Sequence, residues 1–417
     1  MSSTQSREIV IIGGGIIGCT TAYYLSCHPS STSAKIILIE ASEHGPAQGA
    51  SGKAGGLVAK WAYPRELVDI SFSEHVKLAQ EHNGKDRWGW RFVGCGSWEG
   101  KGEVSPSEAE LGTGVGRGGT KKSLEKTFGL VSDDGVIRDT KVRKSKGLPD
   151  DLLWVKDDLT DSYSPMATEG GTAQVHPYQF TTSMFDLAKE NGVAYINGRV
   201  KSVTQADGKV TGIEYVEPTT NETKTIPASQ VILAAGAWSP KIIPQLPISA
   251  TRAHSITIHP KPSITISPYV LFTEITLPST NSQRGKIVSP EIYARPDNEV
   301  YACGPGDDSL LPETVDDVLV DEAACDSIHK HVASISQELR EGTVDKRQAC
   351  FLPIVSSGGG PIVGEASTIA KGLYIATGHT CWGICNAPGT ARAITELVMD
   401  GKIKCANLKK LSPSVLL

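Results

Sequence analysis

The chain has no apolar run long enough to cross a bilayer, no Cys-x-x-Cys pair and little excess of either charge. Its 41 Lys and Arg against 46 Asp and Glu leave a net charge of −5, which gives no electrostatic footprint for nucleic acid or an anionic membrane. The short basic stretches Lys121-Lys122 and Lys141-Val142-Arg143-Lys144 sit among acids and read as solvated surface. Nine cysteines, an odd number, fit neither a disulfide framework nor a zinc site, and point to a reducing compartment. The polar start at residues 1–6 leads directly into an apolar strand without a signal segment, and Val415-Leu416-Leu417 is not a peroxisomal address. The expectations are a cytoplasmic protein with no membrane span, no metal site and no nucleic-acid partner.

What is present begins at once. Glu8-Ile9-Val10-Ile11-Ile12 reads as a buried strand, Gly13-Gly14-Gly15-Ile16-Ile17-Gly18 as a GxGxxG turn opening a helix, and Lys35-Ile36-Ile37-Leu38-Ile39-Glu40 as a second strand ending in an acid. That order within one βαβ length is a dinucleotide-binding pattern. Gly13 permits the tight turn, Gly15 lets the backbone approach a pyrophosphate, and Gly18 allows the helix to pack closely on the strand. Amide N–H groups at the helix start then face the phosphates. Glu40 is placed to accept hydrogen bonds from ribose hydroxyls, and its charge would repel a 2′-phosphate, which disfavours NADP. These residues alone leave NAD and FAD open.

At 417 residues with 39% hydrophobic and 21% charged, the chain can form two domains with cores of their own. After Glu40, the small side chains of residues 49–56 leave room for close backbone contact with something large. Residues 94–150 are poor in apolar residues and show no period, so they read as a surface insertion. A helical pattern follows through Phe180, Met184, Phe185, Leu187 and Ala188 to Asn191-Gly192. Strands are predicted at 193–197, 200–206 and 210–216, the last two turning at Gly208, and another at 231–235 that returns to the first sheet. From 250 to 350, short β-rich runs at 255–259, 264–272, 286–294 and 299–303 precede a helix near 319–340. Leu373-Tyr374-Ile375-Ala376-Thr377 is a strand entering a glycine turn, and a helix then ends at Gly401.

Three separated motifs occur in order: GGGIIG at 13–18, GASGKAGG at 49–56 and TGHTCWG at 377–383. Together they resemble the FAD-dependent oxidoreductases of the D-amino acid oxidase, glycine oxidase and sarcosine oxidase family. The flavour is that of fungal members whose second motif continues into a Lys-Trp pair, here Lys60-Trp61. The resemblance implies an α/β fold, with a discontinuous Rossmann-type FAD-binding domain (1–62, 170–250 and 350–417) and an inserted antiparallel β-rich substrate domain (63–169 and 251–349). It implies that Gly13, Gly15, Ile16, Ile17 and Gly18 hold the diphosphate, that Glu40 and Ala41 hold the adenosine ribose, and that Val200 lies on the adenine. Ser51, Gly52, Lys53, Ala54, Gly55, Gly56 and Leu57 would meet the diphosphate and flavin. Ala235, Gly236 and Trp238 would pass the cofactor, and Gly378, His379, Thr380, Trp382, Gly383 and Ile384 would line the flavin ring. Cys350 lies where the sarcosine-oxidase branch joins a cysteine covalently to the flavin; the other reading is a buried packing cysteine.

The implied reaction is oxidation of a C–N bond in an amino acid or secondary amine by hydride transfer to flavin N5, with O2 or another electron acceptor. The flavin does the difficult step, so no acid or base is obligatory. His254, Trp382 and Tyr63 are the catalytic candidates, with Trp61 and Lys53 as further pocket residues. The chain departs from the family at Leu352, where glycine oxidases have an arginine for the substrate carboxylate, which puts a simple α-amino acid in doubt. Arg252 or Arg295 could substitute by geometry. Tyr301 or Ala302 stands where sarcosine oxidases have a lysine near N5, which leaves oxidase or dehydrogenase open. Two rivals are an NAD-linked Rossmann oxidoreductase and a flavoprotein with mainly a binding or trafficking role.

Overall fold

The apolar run after Arg7 forms the strand Arg7–Ile12, which pairs in parallel with Ala34–Glu40 on one side and Gln230–Leu233 on the other. Ile9 lies opposite Ile36 and Ile11 opposite Leu38, while Val10 lies opposite Val231. Both faces of the strand are covered, which is why its apolar residues run on without alternating. The computed structural model describes residues 7–103, 146–279 and 285–417. Six strands make this sheet, in the order Ile362–Glu365, Leu373–Thr377, Gln230–Leu233, Arg7–Ile12, Ala34–Glu40 and Ala194–Asn197. All pair in parallel except the first two, which are antiparallel.

One face carries the helices Ile16–Ser26, Pro177–Glu190 and Gly383–Asp400. The other packs Val10, Ile37 and Val231 on Val210, Ile213 and Tyr215, which belong to a three-stranded antiparallel layer formed by Arg199–Ala206, Lys209–Val216 and Thr223–Pro227. The hairpin expected at Gly208 is present. A helix that the sequence reading did not anticipate, Arg65–Glu81, packs on Gly383–Asp400, so close that a Cβ on Gly389 would lie 2.3 Å from Ser71 Oγ. The expected boundary at residue 63 therefore cuts into a layer whose core is shared with the cofactor half.

The second sheet has eight strands. Its main path is Thr343–Val355, Ile248–His259, Val300–Cys303, Glu291–Ala294, Tyr269–Thr276, Gly94–Lys101 and Thr160–Pro165, and Ile287–Val288 also pairs with Tyr269–Thr276. Pairing is antiparallel except between Tyr269–Thr276 and Gly94–Lys101. Side chains alternate across it. Ile256, Ile292 and Ala302 pack under the helix Glu322–Ala333, whereas Ala253, Tyr293, Tyr301, Cys303, Cys350 and Leu352 turn toward the first sheet.

Two expectations need correction. Residues 94–101, assigned by composition to a surface insertion, form an interior strand of this sheet. Their glycines mask it: Gly94 and Gly96 are covered by the rings of Tyr269 and Tyr163, which a Cβ would approach to 2.1 and 2.3 Å. Most of the remaining insertion, 104–145, lies outside the described residues. The helix expected near 319–340 is two helices, Glu322–Ala333 and Gln337–Arg340, followed by the unanticipated 13-residue strand Thr343–Val355. No helix among the described residues is long and apolar enough to cross a membrane.

Candidate functional site

A cavity of about 360 Å³ lies at the carboxyl ends of the parallel strands, with the inward face of the second sheet as its other wall. In open α/β sheets this crevice is where ligands bind.

At one end are Gly13, Gly15, Ile16 and Ile17. Gly13 has φ +109°, and a Cβ there would lie 2.5 Å from the carbonyl oxygen of Ala234. The space in front of Gly15 is open: its Cβ would meet only Ser51 Oγ, at 3.1 Å. Gly18 does not line the cavity; a Cβ on it would sit 1.9 Å from Gly13 O, so its role is helix-to-turn packing. Ser51 Oγ accepts a hydrogen bond from Ile16 N at 2.8 Å and so joins the second motif to the start of the first helix. Glu40 accepts from Gly14 N and, at 2.8 Å, from Ser42 N. Burial pushes its carboxyl pKa up, opposed by those backbone N–H groups. Ala41 and Val200 line the same end.

Ser51, Lys53, Ala54, Gly55, Gly56 and Leu57 line the middle of the cavity. Gly52 does not, because its missing side chain makes room for Ala47 O, 2.0 Å from where a Cβ would be. Lys53 donates from Nζ to Ala349 O at 3.1 Å, and burial lowers its pKa. Cys350 lines the cavity beside it, its thiol pushed up to about 11 by burial and partly drawn back by the Lys53 charge. Ala235, Gly236 and Trp238 follow on the opposite wall, where Trp238 Nε1 donates to Pro312 O at 3.1 Å.

Gly378, His379, Thr380, Trp382, Gly383 and Ile384 line the cavity where the strand Leu373–Thr377 passes into the last helix. Gly378 has φ +84° and Thr380 φ +51°, a conformation uncommon for a side-chain-bearing residue. His379 is buried, pairs with Thr390 Oγ1 at 3.0 Å, and has its pKa lowered by burial to about 3. Trp61 and Trp382 meet edge to face with ring centroids 5.6 Å apart; Tyr293 and Tyr301 line the cavity, and Phe272 lies behind them against Trp61 and Tyr293.

Several sequence candidates are placed elsewhere. His254 does not line the cavity: it is one residue after Ala253, which does, so the period of two sends it to the opposite face. There its Nε2 accepts from Asp321 N at 3.0 Å, and burial lowers its pKa. Tyr63 and Trp61 are also outside the lining; Tyr63 O accepts from Asn386 Nδ2, and Trp61 Nε1 donates to Thr172 Oγ1 at 3.1 Å. Arg252 is bound to Asp307, and Arg295 to Glu299 and Ala54 O, and neither lines the cavity. Among the lining residues missed are Glu291, Tyr293 and Phe351. Glu291 is 3% exposed; its Oε2 accepts from Tyr293 Oη at 2.7 Å and from Cys303 Sγ at 3.7 Å, while Oε1 has no partner.

The open space before Gly15, the glycine-lined middle and the acid at the end of the second strand fit a dinucleotide. Fold and site together define a dinucleotide-dependent oxidoreductase. The chain belongs to the FAD dependent oxidoreductase family, whose model matches residues 8–397, and its cofactor is FAD. It is 32% identical to TDA3 of Saccharomyces cerevisiae over 99% of this chain and 95% of that protein. In fold it is similar to iminodiacetate oxidase from Chelativorans sp. BNC1 (TM-score 0.68, 21% identity, 97% of this chain and 98% of that one). It is likewise similar to glycine oxidase from Geobacillus kaustophilus (TM-score 0.69, 16% identity, 97% and 98% covered).

Proposed function

We propose that this flavoenzyme oxidises a C–N bond in a small amine or amino acid. The observation that carries the reading is one continuous cavity, with a dinucleotide cradle at one end and a buried aromatic chamber at the other. FAD, when bound, supplies a hydride acceptor at N5 for the carbon that bears the nitrogen. Oxidation gives an imine, which water hydrolyses.

The chain's own part is to bind, orient and keep out water. Gly13, Gly15, Ile16 and Ile17 with the 51–57 segment hold the diphosphate, and Glu40, Ala41 and Val200 hold the adenosine. Ala235, Gly236, Trp238 and residues 378–384 receive the flavin end, where the start of the Gly383–Asp400 helix favours negative charge. Gly18 and Gly52 act by packing alone. Trp382, Tyr293, Tyr301 and Phe351 wall the chamber where the substrate carbon would lie. Supporting the amine reading are the names of the neighbours in fold, an iminodiacetate oxidase and a glycine oxidase.

The test is anaerobic titration of the FAD-loaded protein with a panel of N-methyl amines and D- and L-amino acids. Loss of flavin absorbance with a stoichiometric carbonyl product is expected from at least one class. No bleaching by either class would overturn the reading. Readmitting air to the reduced enzyme then separates O2 from another acceptor.

A further inference from the structure

We propose that Glu291 receives the positively charged nitrogen of the substrate, and that the enzyme therefore selects cationic amines that carry no α-carboxylate. This rests on the amine-oxidation reading above and narrows it.

The strand Glu291–Ala294 places alternate residues on its two faces, so Glu291 and Tyr293 look into the chamber while Ile292 and Ala294 join the core behind it. The carboxylate is thus built into the wall. Its two oxygens are treated differently. Oε2 is held by the hydroxyl of Tyr293 and the thiol of Cys303, which orients the group. Oε1 is buried with no donor. A carboxylate oxygen can only accept hydrogen bonds, and leaving one unpaired in a buried site is unfavourable. An ammonium N–H supplies both the missing donor and the opposite charge, and passing that proton to Oε1 frees the nitrogen lone pair that the imine C=N bond needs as the hydride leaves. Tyr293, Tyr301 and Trp382 line the same cavity, and aromatic rings attract cations and not anions.

The guanidinium of the cavity lining is already paired. Arg199 and Lys241 both pair with Glu313, and Lys201 is exposed on its strand. Lys53 donates to Ala349 O. Leu352 is apolar. Among the described residues, no guanidinium that lines the cavity is left for a substrate carboxylate, whereas a cation meets Glu291.

The probe is tert-butylammonium, which has no hydrogen on the carbon bearing nitrogen and so cannot be oxidised. Its binding to the FAD-loaded protein is read from the shift in flavin absorbance. Saturable binding at least tenfold tighter than that of tert-butanol is expected, and Glu291→Gln should weaken the amine at least tenfold while the alcohol is unchanged. Equal binding of amine and alcohol by the wild type, or equal binding of the amine by wild type and E291Q, would overturn the proposal. The wild-type comparison stands by itself should E291Q fail to fold. In turnover, N-methylethylamine should reduce the flavin faster than sarcosine; the reverse order overturns the selectivity and leaves C–N oxidation standing. If neither these amines nor any amino acid reduces the flavin, C–N oxidation fails, while the charge preference seen with tert-butylammonium is still measured.

Discussion

The ammonium of Lys53 and the carbonyl oxygen of Ala349 lie 3.1 Å apart, which ties the glycine-rich segment to the strand position next to Cys350. The Lys53 charge favours the Cys350 thiolate, but burial opposes it more strongly and leaves the thiol at about 11. The thiolate is the reactive form, and the raised pKa keeps the group a thiol at pH 7. We therefore predict noncovalent FAD. Acid precipitation should leave the flavin in the supernatant, and Cys350→Ala should keep its FAD. A yellow pellet from the wild type that turns white in C350A would establish a thioether instead.

Two glycines of the same turn should fail in different ways. Gly13 adopts φ +109° and abuts Ala234 O, so Gly13→Ala meets both strain and a clash and should cost about 1–3 kcal/mol in stability. At Gly15 a side chain meets only Ser51 Oγ and otherwise projects into open space. Gly15→Val should fold with little loss of melting temperature yet lose FAD, read as the flavin retained after gel filtration. Equal FAD retention in G15V and wild type would remove Gly15 from the cradle.

The cradle was legible because its signals are local: a glycine spacing, an apolar strand on either side, and an acid at a fixed place. The chamber was legible only in part: Tyr301, Cys350 and Trp382 were reached through the family resemblance, whereas Ala253, Glu291 and Tyr293 were not. The chamber residues of the second sheet come from four strands that meet only through sheet pairing, and a single acid within a short strand carries no periodic signature. The error at His254 shows the limit sharply, since a shift of one residue along a strand exchanges the cavity face for the opposite one. Strand Thr343–Val355 escaped because its first half is polar and it contains Pro353, which argues against a strand interior.

Acid should weaken the packing around the start of the last helix. His379 is lowered to about 3 and His75 to about 4, both by burial, from an ordinary 6.5. Folded-state values below the unfolded one mean that each contribution is complete above about pH 6.5 and is lost as the pH falls towards the folded value. His75 Nε2 contacts the carbonyls of Ile384 and Cys385, and His379 lies at the turn before the same helix, whose positive N-terminal end also disfavours imidazolium. The loss is at most about 1.4 kcal/mol per pH unit for each histidine. Melting temperature measured from pH 7 to pH 5 should therefore fall, and His379→Asn should flatten the slope. An unchanged slope in H379N would mean that His379 is not the group being titrated.

Arg295 ties the second sheet to the 51–57 segment, and its removal should be costly. Its Nη1 donates to Glu299 Oε1 at 2.7 Å, its Nη2 donates to Ala54 O, and its guanidinium carbon lies 4.6 Å from the centre of the Tyr301 ring. Burial raises the Glu299 pKa, but the charge and hydrogen bond of Arg295, together with His176 and Lys346, outweigh it and hold the carboxyl below its ordinary value. Arg295→Met leaves that carboxylate buried without its partner, a change that costs about 3–5 kcal/mol in comparable pairs. Replacing both, as R295M/E299Q, removes the stranded charge and should recover part of the loss, a coupling that a double-mutant cycle measures directly. Because Ala54 sits between Lys53 and Gly55 in the cavity wall, R295M should also weaken FAD binding, and the double variant should not restore it. Recovery of both stability and FAD affinity in the double variant would show that Arg295 serves only to neutralise Glu299 and does not position the 51–57 segment.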